Sequence, residues 1–160
     1  MLKMPGEVFD SVDYRILAEL QSDGRMTNVE LATRVGLTAP PCLRRVRALE
    51  ERGAIESYHA RLNNQALGYA ITVFAMVSLK SQAEPDLQAF EAHVATLDPV
   101  RECHMLNGEI DFILKVVARN LQEFQSFLTT SLTTAPNVAS VKTSLTIRTA
   151  KNIPGVPVPD

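Results

Sequence analysis

No stretch of this 160-residue chain is apolar over the roughly 18 residues that a membrane span requires. The opening Met1-Leu2-Lys3-Met4-Pro5-Gly6 lacks the apolar core of a secretory signal, so a cytoplasmic protein with no membrane partner is expected. Cysteine is scarce. Cys42 and Cys103 stand 61 positions apart in segments that read as buried, which predicts reduced thiols and excludes a disulfide framework. Charge of one sign is not in excess either: 16 Lys+Arg against 18 Asp+Glu give a net charge of −2. That excludes a polybasic tail and a uniformly acidic surface but leaves room for a local basic patch. Of the three histidines, His59 and His93 stand alone, and His104 adjoins Cys103 on an expected strand, where neighbours face opposite ways. No Cys-x-x-Cys, His-x-x-x-His, Ser/Cys–His–acid arrangement or glycine-rich phosphate loop occurs. No metal, cofactor or catalytic residue is therefore expected, and the chain is not read as an enzyme.

What is present is a globular composition, 46% hydrophobic and 21% charged, with mean hydropathy +0.01. Residues 1–62 hold nine basic and nine acidic side chains, yet Arg44, Arg45, Arg47 and Arg52 fall within nine positions. Residues 63–160 hold seven and nine, thinly spread. The hydrophobic period changes at the same place, from a helical 3.6 to alternating strand and helix runs. The expected division is a helical domain over 1–62, a linker over 63–69, an α+β domain over 70–151 and an extended or disordered tail over 152–160.

Three helices are expected in the first part. Asp10 or Ser11 can cap a helix bearing Ile16, Leu17 and Leu20, which Asp23-Gly24 stops. Thr27 and Glu30 form a capping box opening a short helix with Leu31 and Val35, ended by Gly36. Thr38 can cap a third helix that tolerates Pro40-Pro41 in its first turn and carries Leu43, Val46 and Leu49 as its apolar stripe. Ile55 to Leu62 reads as extended. The remainder reads strand, helix, strand, strand, helix, strand. The strands are Ile71 to Leu79, Val100 to Leu106, Ile110 to Ala118 and Val138 to Arg148; Leu87, Phe90, Val94 and Leu97 mark one helix, and Leu121, Phe124, Leu128 and Leu132 the other. Such a split βαβ repeat predicts a ferredoxin-like antiparallel sheet with both helices on one face. Phe74 and Met76 then lie on a face with nothing in the chain to cover it, which argues for self-association.

Two constellations carry functional readings. A short helix, a glycine turn and an arginine-loaded helix outline a helix-turn-helix, whose second helix enters the major groove. Measured from the Leu43/Val46/Leu49 stripe, Arg44 points outward to fork onto a base, and Arg45 and Arg47 flank it within reach of phosphates. The alternative is a solvated helix face, since Glu50 and Glu51 are near. The second constellation is Asn107-Gly108-Glu109-Ile110-Asp111. Two carboxylates two apart beside a glycine can receive a cation or an amine; the alternative is a plain β-turn, although Asp111 opens an apolar strand where a carboxylate needs a partner.

The blocks Asp23-Gly24-Arg25, Asn28-Val29-Glu30-Leu31-Ala32 and Val35-Gly36-Leu37-Thr38-Ala39-Pro40-Pro41-Cys42-Leu43-Arg44-Arg45-Val46 resemble the Lrp/AsnC (leucine-responsive, feast/famine) family of transcriptional regulators. So do Gly53-Ala54-Ile55 with Tyr58 and Ala60, Glu102-Cys103-His104, the Gly108 to Asp111 turn and Lys151, so that the resemblance covers residues 10–151. It implies a winged or simple helix-turn-helix domain joined to a ferredoxin-like effector domain. It also implies sheets paired into homodimers that assemble to tetramers or octamers, and a small-molecule effector, usually an amino acid, near the glycine–acid turn. Carried over by position, the DNA-binding residues would be Asn28, Thr38, Ala39, Pro40, Pro41, Arg44, Arg45 and Arg47. The effector residues would be Met105, Leu106, Asn107, Gly108, Glu109, Asp111 and Ser144, with Asp111 holding an α-ammonium and amides near Gly108 a carboxylate. Glu109 replaces the commoner aspartate, and Thr143 to Thr146 replace a more apolar run, so leucine is not assumed. The leading reading is a double-stranded-DNA-binding regulator responding to an amino acid or related metabolite. An architectural DNA-binding protein without effector, or an enzyme of amino-acid metabolism on a regulatory fold, are the alternatives.

Overall fold

The computed structural model describes residues 9–159. Met1 to Gly6 and the last residue of the expected tail, Asp160, lie outside the described residues. The chain divides into two compact units. One takes in the chain through Arg61 together with the tail from Lys151; the other is Leu62–Ala150.

The first unit is helical. α1 spans Ser11–Ser22, α2 Asn28–Arg34 and α3 Ala39–Glu51. Asp10 caps α1 by accepting from the Val12 and Asp13 amides, and Asp13 answers by accepting from the Asp10 amide. Thr27 and Glu30 repeat that reciprocal box at α2. Gly36, at φ +74°, turns the chain between α2 and α3, where an L side chain would be strained. Ile16, Leu31, Ala32, Val35, Cys42 and Leu49 form the core. The expected α3 stripe is thus corrected: Cys42 and not Leu43 joins Leu49 inside, while Leu43 is exposed. Among the described residues this unit contains no strand, so the extended segment after Ile55 does not build a β wing. Tyr58 returns to α3 and donates to Glu50 Oε1 at 2.9 Å.

The described part of the tail is free of helix and strand, and it groups with the first unit. The Gln21 amide donates to the Val156 carbonyl at 2.7 Å and accepts from its amide at 3.1 Å, and Arg61 donates to the Asn152 carbonyl at 2.7 Å. Gly155 sits beneath the Gln21 amide at φ +75°, and a Cβ there would collide with Gln21.

In the second unit, β1 spans Ile71–Leu79, α4 Glu84–Ala95, β2 Val100–Met105, β3 Phe112–Ala118, α5 Leu121–Phe127 and β4 Val138–Leu145. α5 passes directly into a π-helical turn, Leu128–Leu132. The sheet is antiparallel in the order β2-β3-β1-β4, as a split βαβ repeat requires. Val73, Ala75, Val77 and Leu79 of β1 alternate inward with Phe112, Leu114 and Val116 of β3, and pack with Phe90, Val94, Phe124 and Leu132 from the helical layer. Leu121, expected in the α5 stripe, is exposed. β4 stops at Leu145, short of Arg148, because β1 begins at Ile71 and the last contact is Thr146 N–H to the Thr72 carbonyl. Asn137, at φ +64°, starts β4 and exchanges two hydrogen bonds with the backbone of Ser81.

Two outcomes follow from these contacts. Gly155→Ala is expected to undock the tail, seen as faster carboxypeptidase trimming with no change in the melting of the second unit. Tyr58 has its phenol pushed up to about 12 by burial and then by the Glu50 carboxylate. Its neutral form stabilises the fold fully below the ordinary phenol value near 10, and that contribution disappears as pH rises through about 12. Ultraviolet titration against Tyr58→Phe should locate this late ionisation, and Glu50→Gln should bring it down.

Candidate nucleic-acid and effector sites

Inside contacts on α3 decide what its outside presents. Taking about 100° per residue, the buried line Cys42/Val46/Leu49 puts Arg44 at about 165° from its centre and Arg47 at about 135°. Both are exposed, and among the described residues neither has a hydrogen-bond or ion-pair partner. Arg45, by the same geometry, lies only about 70° from the buried line. Its Nη1 donates to Asp10 Oδ2 at 2.7 Å and to Asp13 Oδ1 at 2.8 Å. The Asp13 amide and the Arg45 guanidinium together hold the Asp10 carboxyl below its ordinary range. Of the three arginines expected at DNA, the structure thus leaves two free and ties the third to α1.

Of the other expected DNA residues, Pro40 and Thr38 are exposed at the start of α3, and Ala39 and Pro41 are half-buried. Thr38 sits at the N-cap position but makes no side-chain cap bond. Asn28 faces inward: its Nδ2 donates to the Ala39 carbonyl at 2.8 Å, locking the first turn of α2 to that of α3. In the sequence Asp10 reads only as a possible cap and Asp13 carries no reading; their spacing of three residues is the signal for a paired-carboxylate receptor.

The second site lies on the connection 106–111, longer than the tight turn expected, since β2 ends at Met105 and β3 begins at Phe112. The Leu106 amide donates to the Asp111 carbonyl at 2.8 Å, and the Asp111 amide to Val77 at 3.0 Å. Asp111 does have a partner. Its Oδ2 accepts from the Leu79 amide at 2.6 Å and from Gln82 Nε2 at 3.4 Å, at the bulge that ends β1. Met105, Leu106, Asn107, Gly108 and Glu109 are all exposed around it. Ser144 is not brought to this loop within one chain. It pairs with Phe74 on the open face, three positions and about 10 Å of strand from the Val77 row.

That open face carries Phe74, Met76, Ile113 and Val117 centrally, with Phe74 37% exposed. Among them on β3, opposite Phe74, Lys115 donates to Glu102 of the edge strand β2 at 2.7 Å and holds its carboxyl below the usual range. Lys142 lies on the other edge strand, β4. Cys103 points the opposite way from His104, into a groove of about 280 Å³ between α4 and β2, where burial and then Glu91 push its thiol up.

The family model described as "Winged helix-turn-helix DNA-binding" matches residues 9–56, and that described as "Lrp/AsnC ligand binding domain" matches residues 72–156. A leucine-responsive regulatory protein of Rhizobium meliloti (strain 1021) is 55% identical over 143 residues, 89% of this chain and 92% of that one. That of Escherichia coli (strain K12) is 38% identical over 149 residues, 93% of this chain and 91% of the relative. Among solved structures, the transcriptional regulator NMB0573 of Neisseria meningitidis, in complex with L-Met, superposes with TM-score 0.90 at 32% identity, covering 94% of this chain and 97% of that one. Helix-turn-helix unit, four-stranded antiparallel unit and sequence agree: the chain belongs to the Lrp/AsnC family of transcriptional regulators.

Proposed function

We propose that the chain regulates transcription as a homodimer, reading double-stranded DNA with α3, and that an amino acid or related metabolite at the 106–111 loop alters its assembly or DNA affinity. The observation that carries the DNA half is the outward, unpaired Arg44 and Arg47 on α3. Glu50, near that face, accepts from Tyr58 and forms no ion pair with Arg44 or Arg47. An outward arginine forks onto guanine, and one turned aside reaches phosphate. The dimer is supported by the apolar side chains of the open sheet face, Phe74, Met76, Ile113 and Val117, with the charge of Lys115 among them paired to Glu102. Two dimers joined at the loops would give a tetramer, and four an octamer, the assemblies that the family resemblance implies. The same proposal keeps the protein in the cytoplasm, with its DNA, and assigns it regulation in place of catalysis, in keeping with relatives that are transcriptional regulators.

The effector half is supported by the L-Met complex of the Neisseria meningitidis neighbour and by one local feature. Gly108 has neither a positive φ nor any atom within 4 Å of the Cβ it lacks. Nothing within one copy of the chain calls for glycine there. A ligand carboxylate approaching the loop amides, or a second copy, does. Asp111 then has two tasks: Oδ2 holds the β1 bulge, and its charge receives the α-ammonium.

Arg44→Ala is expected to cost about 1–3 kcal/mol on a specific duplex and little on random DNA. Arg47→Ala should weaken both alike and lower the salt slope by about one, read by gel shift or anisotropy over a salt series. Equal and negligible losses from both would return α3 to a solvated face. For the effector, a thermal-shift screen of the amino acids should find a ligand stabilising by about 2.7 kcal/mol at 100 times its dissociation constant. Asp111→Asn, which keeps an oxygen for Leu79, should abolish that shift while sedimentation still reports the dimer. A wild-type response surviving Asp111→Asn would remove the site assignment.

A further inference from the structure

α3 meets the first unit mainly through Cys42, Val46 and Leu49. Apolar contacts of this kind are non-directional and leave a helix some freedom to roll or tilt. Hydrogen-bonded contacts on α3 are directional: Asn28 ties its first turn to α2, Tyr58 holds Glu50 in its last turn, and Arg45 ties its middle to α1. Arg45 bridges two carboxylates, and each of those carboxylates divides its oxygens in the same way. Asp10 gives Oδ1 to the amides of Val12 and Asp13 and Oδ2 to Arg45. Asp13 gives Oδ2 to the amide of Asp10 and Oδ1 to Arg45. The reciprocal cap therefore holds both acids rigid at the start of α1, and one guanidinium nitrogen closes the pair from α3. Asp13 is 8% exposed, the only buried charged residue among those described, and a buried carboxylate without a cation is costly. A planar guanidinium fills such a seat with fixed geometry, which a flexible ammonium does not.

We infer that Arg45 is a positioning residue. By seating its guanidinium between Asp10 and Asp13 it sets the roll of α3 against α1, and with it the angle at which Arg44 and Arg47 meet DNA. This rests on the reading of α3 as the recognition helix. Arg45 sits one position from Arg44, but its charge is already committed, and the exposed Asp10 beside it would repel a phosphate approaching that side.

The two roles open to Arg45 predict opposite signs for the same change. If Arg45 touches phosphate, Asp13→Asn frees it and removes a negative charge, so affinity rises. If Arg45 positions α3, Asp13→Asn loosens the seat and affinity falls despite the gain in net positive charge. The experiment uses the full chain, a duplex that the wild-type protein selects from a random pool, and a random-sequence duplex, below the melting temperature of each variant. Asp13→Asn and Arg45→Lys are expected to lose roughly tenfold or more on the selected duplex, given the strength of hydrogen bonds to charged groups. Both should narrow the ratio between selected and random duplex and leave the salt slope unchanged. Asp10→Asn, exposed and still able to cap, is the second variant and should move in the same direction should Asp13→Asn fail to fold. Tighter binding by either aspartate variant, full rescue by Arg45→Lys, or an unchanged selected-to-random ratio would overturn the positioning role. Arg44→Ala is the control: if it leaves both duplexes unaffected, the recognition-helix reading itself has failed, whatever the aspartates do.

Discussion

The DNA-facing half of this protein depends on one rotation, that of α3 about its own axis. Thirteen residues form the helix, and which of them face the core fixes which face solvent. The choice of Cys42 over Leu43 as the inner residue turns the outward face by about 30° from the one read in the sequence, at about 100° per residue. That small angle changes the chemistry. It moves Arg47 further out, leaves Arg44 outermost, and brings Arg45 round to α1, where two carboxylates wait. Arg45 and Arg47, both read as flanking the outward Arg44, thus have two different environments.

The sequence made the local signals of this unit legible because they act over three or four residues. The caps at Asp10 and Thr27, the turn at Gly36 and the prolines of the first α3 turn each fall where read. What was not legible depends on residues distant in sequence. Leu43 is the stronger hydrophobe, yet the space beside Ile16 and Leu31 takes the smaller Cys42, and no helical pattern shows the volume of a facing wall. The tail is a case of the same kind. Three prolines and no periodicity read as a free arm, but a side-chain amide 135 positions earlier supplies the donor and acceptor that an extended backbone needs.

In the second unit, alternation along β1 announced the sheet and its two faces, and the register follows it residue by residue. The ends were harder. Strands stop where their partners stop, so β4 is cut at Leu145 by the start of β1, and β2 and β3 part early to leave a six-residue connection, 106–111. Asp111 was read as a carboxylate in need of a partner, and it has one. The partner is the Leu79 amide, exposed by the register shift between Ser78 and Leu79, which no motif encodes. The acid at the candidate effector site is thus also the acid that closes the end of β1, so charge and hydrogen-bond capacity have to be separated when it is altered.

Two glycines show how the reasons for a residue can lie inside or outside one chain. Gly155 is required twice by its own molecule, once by a left-handed backbone and once by the Gln21 amide lying where a side chain would go. Gly108 meets neither condition: its φ is not positive and its surroundings are open. A glycine in an exposed loop increases the entropy lost on ordering and gains no contact in exchange. On the proposed reading, the gain arises when something else arrives, because only glycine lets a ligand or a second backbone approach the loop amides closely. The helix-turn-helix unit presents the charges of Arg44 and Arg47 outward from a packed core. The 106–111 loop is closed at its base by Asp111 and Leu106 and left open at its tip. On that reading, the same chain carries one surface shaped by its own core and another whose glycine answers to what binds there.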